Sequence, residues 1–176
     1  MNSWLGKGIL VVATLVLVLS GITWAAHDDH GCSNATLRGA YGFRVVGQGP
    51  DNSVTAVVGM KHFDGAGNLT QVDFAVTDGV PQPGEVNAGA FQFRTGQTGT
   101  YKVNPDCTGS MEIHLNASPV PLGTSTGVIK IMFVLSHQGR AIHEVVAELT
   151  PPGGTMPLLI TTYADDWKLG SDSGPE

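Results

Sequence analysis

Apolar and polar residues alternate in short stretches along most of this chain, and the stretches are separated by Gly, Pro, Asn and Asp. From Leu37 to Gly47 the alternation places Leu37, Tyr41, Phe43 and Val45 on one face with Gly39, and Arg38 and Arg44 on the other, as successive side chains of a β-strand must lie. Val54 to Phe63 is a second strand, and DGAGN at residues 64–68 turns it into LTQVDFAV, because Gly and Asn tolerate the backbone of a tight hairpin. VPQPGE near Val80–Glu85 is a loop, since two prolines interrupt any ladder there.

The rhythm continues through AFQFRT, TGTYKV, SMEIHL, VIKIMFVL, AIHEVVAEL and LLITTY, with turns at NPDCTG, SHQGR and PPGGT and a Pro-containing loop at ASPVPLGTSTG. No long segment repeats an apolar residue at helical spacing. The pattern predicts an all-β domain of eight or nine strands joined mostly by short antiparallel connections. An open sheet that large leaves exposed edges, so a single up-and-down antiparallel β-barrel of about eight strands is expected. A two-sheet β-sandwich is the alternative.

The N-terminus departs from this rhythm. Lys7 is the only charge in MNSWLGKGILVVATLVLVLSGITWA, an apolar run extends from Ile9 to Leu19, and Thr23 and Ala25 suit the positions before a cleavage site. Residues 1–25 therefore read as a secretory signal peptide, which implies a secreted or periplasmic location. An uncleaved membrane anchor is the alternative. Residues 26–36 form a leader containing Cys32, residues 37–167 the barrel and residues 168–176 a polar tail. Two cysteines in an exported chain predict one disulfide, Cys32 to Cys107. Closing so long a loop contributes roughly 4 kcal/mol in the chain-entropy account.

The formal net charge of −6 and the scatter of the few Lys and Arg residues argue against nucleic acid as a partner. No phosphate-binding fingerprint leads into a helix and no G-x-S-x-G elbow is present, so no cofactor and no serine-hydrolase motif is expected.

The segments CSNATLRGAYGF, DGAGN and GTYKVNPDCTG together resemble a group of small exported bacterial proteins of unknown function. The matching positions are Cys32, Leu37, Gly39, Tyr41, Gly42 and Phe43, then Asp64, Gly65, Gly67 and Asn68, then Gly99, Tyr101, Asp106, Cys107 and Gly109. The layout is similar to calycin-like and allene oxide cyclase-like barrels, which implies a barrel able to hold an apolar small molecule. Fold-level likeness assigns no catalytic residue.

Strand parity sorts the chemistry-bearing residues. In AIHEVVAEL it groups His143 with Ala141, Val145, Ala147 and Leu149 and sets Glu144 and Glu148 opposite, so His143 is expected inside the lumen. There it would orient a ligand or act as a general base. Tyr41 and Tyr101 on apolar faces are the companion candidates, and Phe43 adds to the expected ligand-binding set of Tyr41, Phe43, Tyr101 and His143. Glu112 and His114 form the polar side of SMEIHL. Arg44 and Arg94 stand opposite aromatic faces and are expected to meet solvent. HDDH at residues 27–30 is a weak metal candidate through His27 and His30, with a solvated leader as the plainer reading.

Three functions fit these residues. The first is a disulfide-stapled barrel that binds a small, largely apolar molecule. The second is a cyclase or isomerase using His143 with Tyr41 or Tyr101 in one cavity. The third is a structural or adhesive envelope protein, favoured by VIKIMFVL, which is apolar on both faces from Ile131 to Leu135.

Overall fold

Alternation along the chain builds eight long strands and three very short ones in the computed structural model, which describes residues 31–82, 85–115, 127–151, 154, 156–158 and 160–170. After a 3₁₀ turn at Asn34–Thr36, the strands are β1 (Arg38–Gln48), β2 (Val54–Asp64), β3 (Asn68–Thr77), β4 (Val80–Pro81), β5 (Val86–Asn87) and β6 (Ala90–Phe91). There follow β7 (Arg94–Val103), β8 (Thr108–Leu115), β9 (Gly127–Ser136), a second 3₁₀ turn at His137–Gly139, β10 (Ala141–Thr150) and β11 (Thr161–Lys168).

Each long strand pairs antiparallel with its neighbours in chain order, and β1 pairs with both β2 and β11. The sheet is thereby closed into an eight-stranded barrel, with no edge left among its main strands. This pairing excludes the sandwich. The signal segment, the HDDH cluster, the polar tail beyond Gly170 and the loop 116–126 lie outside the described residues.

One expectation about the strands changes. AFQFRT is not a barrel strand separate from TGTYKV: from Arg94 to Val103 the chain is one strand, and Ala90–Phe91 belongs to a small hairpin with β5. Within β7, Gly96 has φ 75° where the β3–β7 register shifts between Gln71 and Asp73, the position of a bulge.

The two ends of the barrel differ. Three short connections, at 65–67, 104–107 and 137–140, lie at one end, which the segment before β1 closes. Cys32 is bonded to Cys107 with the Cα atoms 4.9 Å apart. The Cys32 amide donates to the Pro105 carbonyl at 3.1 Å, and the Val103 amide donates to Asn34 Oδ1 at 2.8 Å. Leu37 then enters the barrel fully buried. Gly139 sits against this plug with φ 79°, where a Cβ would come within 2.6 Å of Thr36 Cγ2; neither the conformation nor the space admits a side chain.

Inside the closed end, Phe63 lies between Tyr41 and Tyr101 in edge-to-face contacts, with centroids 5.2 and 5.1 Å apart. Met111, Ile113, Ile131, Phe133 and Ile142 complete this apolar floor. Such aromatic pairs add about 0.5–1.5 kcal/mol each beyond their burial.

Candidate functional site

Above that floor the lumen turns polar. Lys61 of β2, Glu144 of β10 and Asp166 of β11 all point inward and are buried. Lys61 Nζ donates to Glu144 Oε1 at 2.6 Å and to Asp166 Oδ2 at 3.0 Å, and stands 4.6 Å from the centroid of the Phe43 ring. Burial pushes the Asp166 carboxyl up to about 7 against the pull of Lys61, and the Glu144 charge adds to the rise. For Lys61, burial acts downward, but the two carboxylates outweigh it and hold the ammonium above its ordinary value. Glu144 Oε2 and Asp166 Oδ1 are buried with no hydrogen-bond partner among the described residues.

A second polar group adjoins the first, since Lys61 and Gln71 are register partners across β2 and β3. Arg94 Nε donates to Asp73 Oδ1 at 2.8 Å and lies 3.2 Å from Glu85 Oε1. Gln97 donates to Asp73 Oδ1 at 2.8 Å and Gln71 to Asp73 Oδ2 at 3.2 Å. Glu85 also accepts the Ala75 and Gln82 amides at 2.6 and 2.9 Å, tying the loop after β3 to the wall. Arg94 is therefore not solvent-facing: its side chain is only 16% exposed, because the start of β7 turns it onto two buried carboxylates.

The expected lumenal histidine is on the outside. His143 is 46% exposed in its side chain, and its Nδ1 lies 2.7 Å from Asp165 Oδ1 on the neighbouring strand. In β10 the inward set is Ile142, Glu144 and Val146, and the register shifts between Val146 and Glu148. Both faces of this segment carry apolar residues, so periodicity could not choose between them; the Lys61 ammonium inside the lumen makes the Glu144 face the inner one.

Tyr41 and Tyr101 do face inward, but their hydroxyls donate to backbone: Tyr41 to the Gly139 carbonyl at 2.5 Å, Tyr101 to Asn34 and Leu37 carbonyls at 3.0 and 2.9 Å. Burial raises both phenols above their ordinary value. They face the lumen while His143 faces outward, so the lumenal His–Tyr pair of the cyclase reading is not formed. Glu112 and His114 lie on the outer wall, 3.6 Å apart. Among the described residues no group of three His, Cys, Asp or Glu is placed to hold a metal.

A cavity of ligand size lies on the outer wall. A groove of about 620 Å³ crosses β11, β1, β2 and β3, with Val58, Met60, Val72, Phe93 and Trp167 as its apolar sides. Arg44 and Asp165, register partners on β1 and β11, line it as well. Gly42 carries no side chain on this outer face, and Gly59, which shares the inward parity of Lys61, presents only backbone there. At Gly59 a Cβ would meet the Phe43 ring at 2.6 Å and the Val72 carbonyl at 2.3 Å, so β2 lies directly on the ring and Phe43 reaches the groove floor. Phe74 packs edge-on against Phe91 and Phe93 with centroids 5.9 and 6.2 Å apart, which holds the flanking loop against the wall.

The sequence matches no protein-family model and no curated protein. Among solved structures it is similar to the S-type phycobiliprotein lyase CPES from Guillardia theta, with a TM-score of 0.47 and 6% identity over 82% of this chain and 97% of that one. It is also similar to a de novo designed transmembrane β-barrel, with a TM-score of 0.36 and 10% identity over 76% of this chain and 97% of that one. These are likenesses of general layout, and nothing about a ligand follows from them.

The residues of the polar lumen were not anticipated from the sequence. Lys61 shares parity with Phe63, and Gln71 and Asp73 share parity with Leu69 and Ala75, so a polar residue in phase with core positions was the available signal.

Proposed function

We propose that this protein is an exported, disulfide-stapled barrel that binds a small, largely apolar molecule with a polar end, in the groove on its outer wall. The observation that carries the reading is the groove itself, about 620 Å³ and mostly apolar, within the range of small-ligand sites. Arg44 and Asp165 supply charge for the polar end. The disulfide is what an oxidising compartment favours, and among the described residues no helix is long and apolar enough to cross a membrane.

The probe is 1-anilinonaphthalene-8-sulfonate, an apolar bicycle with an anionic end. Trp167 is the one tryptophan among the described residues and lines the groove, so binding quenches its emission and transfers it to the probe. Met60→Asp weakens the probe by at least about tenfold, since a carboxylate must be desolvated on the apolar side. Unchanged affinity in that variant, with unchanged circular dichroism, would overturn the groove reading.

A second reading is favoured by one observation: the unpartnered oxygens Glu144 Oε2 and Asp166 Oδ1 would accept from a donor entering the lumen. Under that reading Asp166→Asn loses the probe and Met60→Asp retains it. The groove reading expects the reverse.

A further inference from the structure

We infer that Ser136, His143 and Asp165 form a nucleophilic relay on the outer wall of the barrel, with Ser136 able to accept an acyl group from an ester. The three residues come from three consecutive strands. His143 stands directly opposite Asp165 across β10 and β11, and diagonal to Ser136, which is opposite Ala141 across β9 and β10. Nδ1 of His143 is 2.7 Å from Asp165 Oδ1, and Nε2 is 3.0 Å from Ser136 Oγ.

Which nitrogen meets which oxygen is the decisive detail. A carboxylate only accepts, so Asp165 fixes the imidazole proton on Nδ1 and leaves the Nε2 lone pair facing the serine hydroxyl. That is the orientation a Ser/His/Asp relay requires, whatever fold carries it. A histidine merely bridging two surface groups could take either orientation.

Two further features stand beside the relay. Ser136 is the last residue of β9, and the two residues after it, His137 and Gln138, are left-handed with φ 51° and 58°. Such conformations cost energy in non-glycine residues, persist only where surrounding contacts enforce them and cluster at reactive sites. Here the Tyr41 hydroxyl on the Gly139 carbonyl and the Arg140 amide on the His137 carbonyl hold the turn. The His137 ring also lies 6.0 Å from the Trp167 ring, so the same turn borders the groove, of which Asp165 and Trp167 are walls.

In the step assigned, Ser136 Oγ attacks the ester carbonyl carbon and its proton passes to His143 Nε2. The carbon–oxygen bond to the alcohol then breaks, and the alcohol leaves with that proton. Water repeats the sequence on the acyl-serine, releasing the acid and restoring Ser136. Esters with an apolar acyl chain are the substrate class, a choice that rests on the groove reading above; the relay itself does not depend on it.

A fluorophosphonate tests the relay directly, since it forms an Oγ–P bond and expels fluoride only at an activated hydroxyl. Peptide mass analysis is expected to find one label per chain, on Ser136. Ser136→Ala is expected to lose the label, and His143→Gln to slow labelling at least about a hundredfold. Absence of label, labels spread over several serines, or a rate unaffected by His143→Gln would overturn the inference. Comparing p-nitrophenyl acetate with p-nitrophenyl octanoate separates the two readings. A preference for octanoate that Met60→Asp removes supports both the relay and its apolar substrate class. Equal rates with intact labelling refute the groove's part and support the relay alone.

Discussion

The floor of the lumen and the polar layer above it are built by the same alternation on the same strands, yet they hold together differently. In the floor, Tyr41, Phe63 and Tyr101 pack with aliphatic neighbours, and each contributes by leaving water. In the layer above, Lys61 is tolerated only because Glu144 and Asp166 meet it from two other strands, β10 and β11. The floor depends on volume. The layer depends on every member being present, since removing one leaves a buried charge without its partner.

The largest effects come from breaking each region in its own way. Phe63→Ala empties the space between the two tyrosines and costs about 3–5 kcal/mol in urea unfolding. Lys61→Met costs a similar amount, about 3–5 kcal/mol, because two buried carboxylates lose their cation. The comparison sharpens when the layer is replaced whole: Lys61→Met with Glu144→Leu and Asp166→Leu recovers most of that loss. No second substitution in the floor rescues Phe63→Ala in this manner.

A pH titration gives a smaller effect with a definite sign. Asp166 titrates at about 7 in the folded barrel, against 3.8 for an ordinary aspartate, so between those values the folded state keeps a proton that the unfolded chain has released. Its contribution is fully present below pH 4 and is lost as pH rises through 7. Asp166→Asn should flatten the fall of Tm over that interval. Asp64 behaves oppositely: hydrogen bonds from Asn68 and from the turn amides hold it at about 2, so its contribution appears as pH rises from 2 towards 4. The smallest effect expected is from Tyr101→Phe, about 1 kcal/mol, since the ring stays and only the hydroxyl bonds to Asn34 and Leu37 are lost.

The difference between the regions also explains what could be read from the chain. The floor was legible, because Leu37 and Tyr41 share one face of an alternating strand and DGAGN has the composition of a tight turn. The disulfide was legible from two cysteines and an export-like leader. The layer was not, because Lys61, Glu144 and Asp166 lie on β2, β10 and β11, and alternation within one strand says nothing about a partner on another. For the same reason His143 was assigned to the wrong side, and Ser136, His143 and Asp165 stayed unconnected until strand register put them together. The groove depends on Gly42 and on the close packing of Phe43 against Gly59; the glycines are visible in sequence, but not what lies beneath them.

The bond between Cys32 and Cys107 also decides how the barrel bears load. Whatever precedes Gly31 joins the fold one residue ahead of a covalent link to the β7–β8 turn. Tension arriving along that segment is delivered to the sulfur atoms and spread into β7 and β8. The hydrogen bonds of β1, the strand that closes the ring, then carry only part of that load. An oxidised barrel pulled from its N-terminus resists unzipping at that seam, whereas a reduced one opens there first.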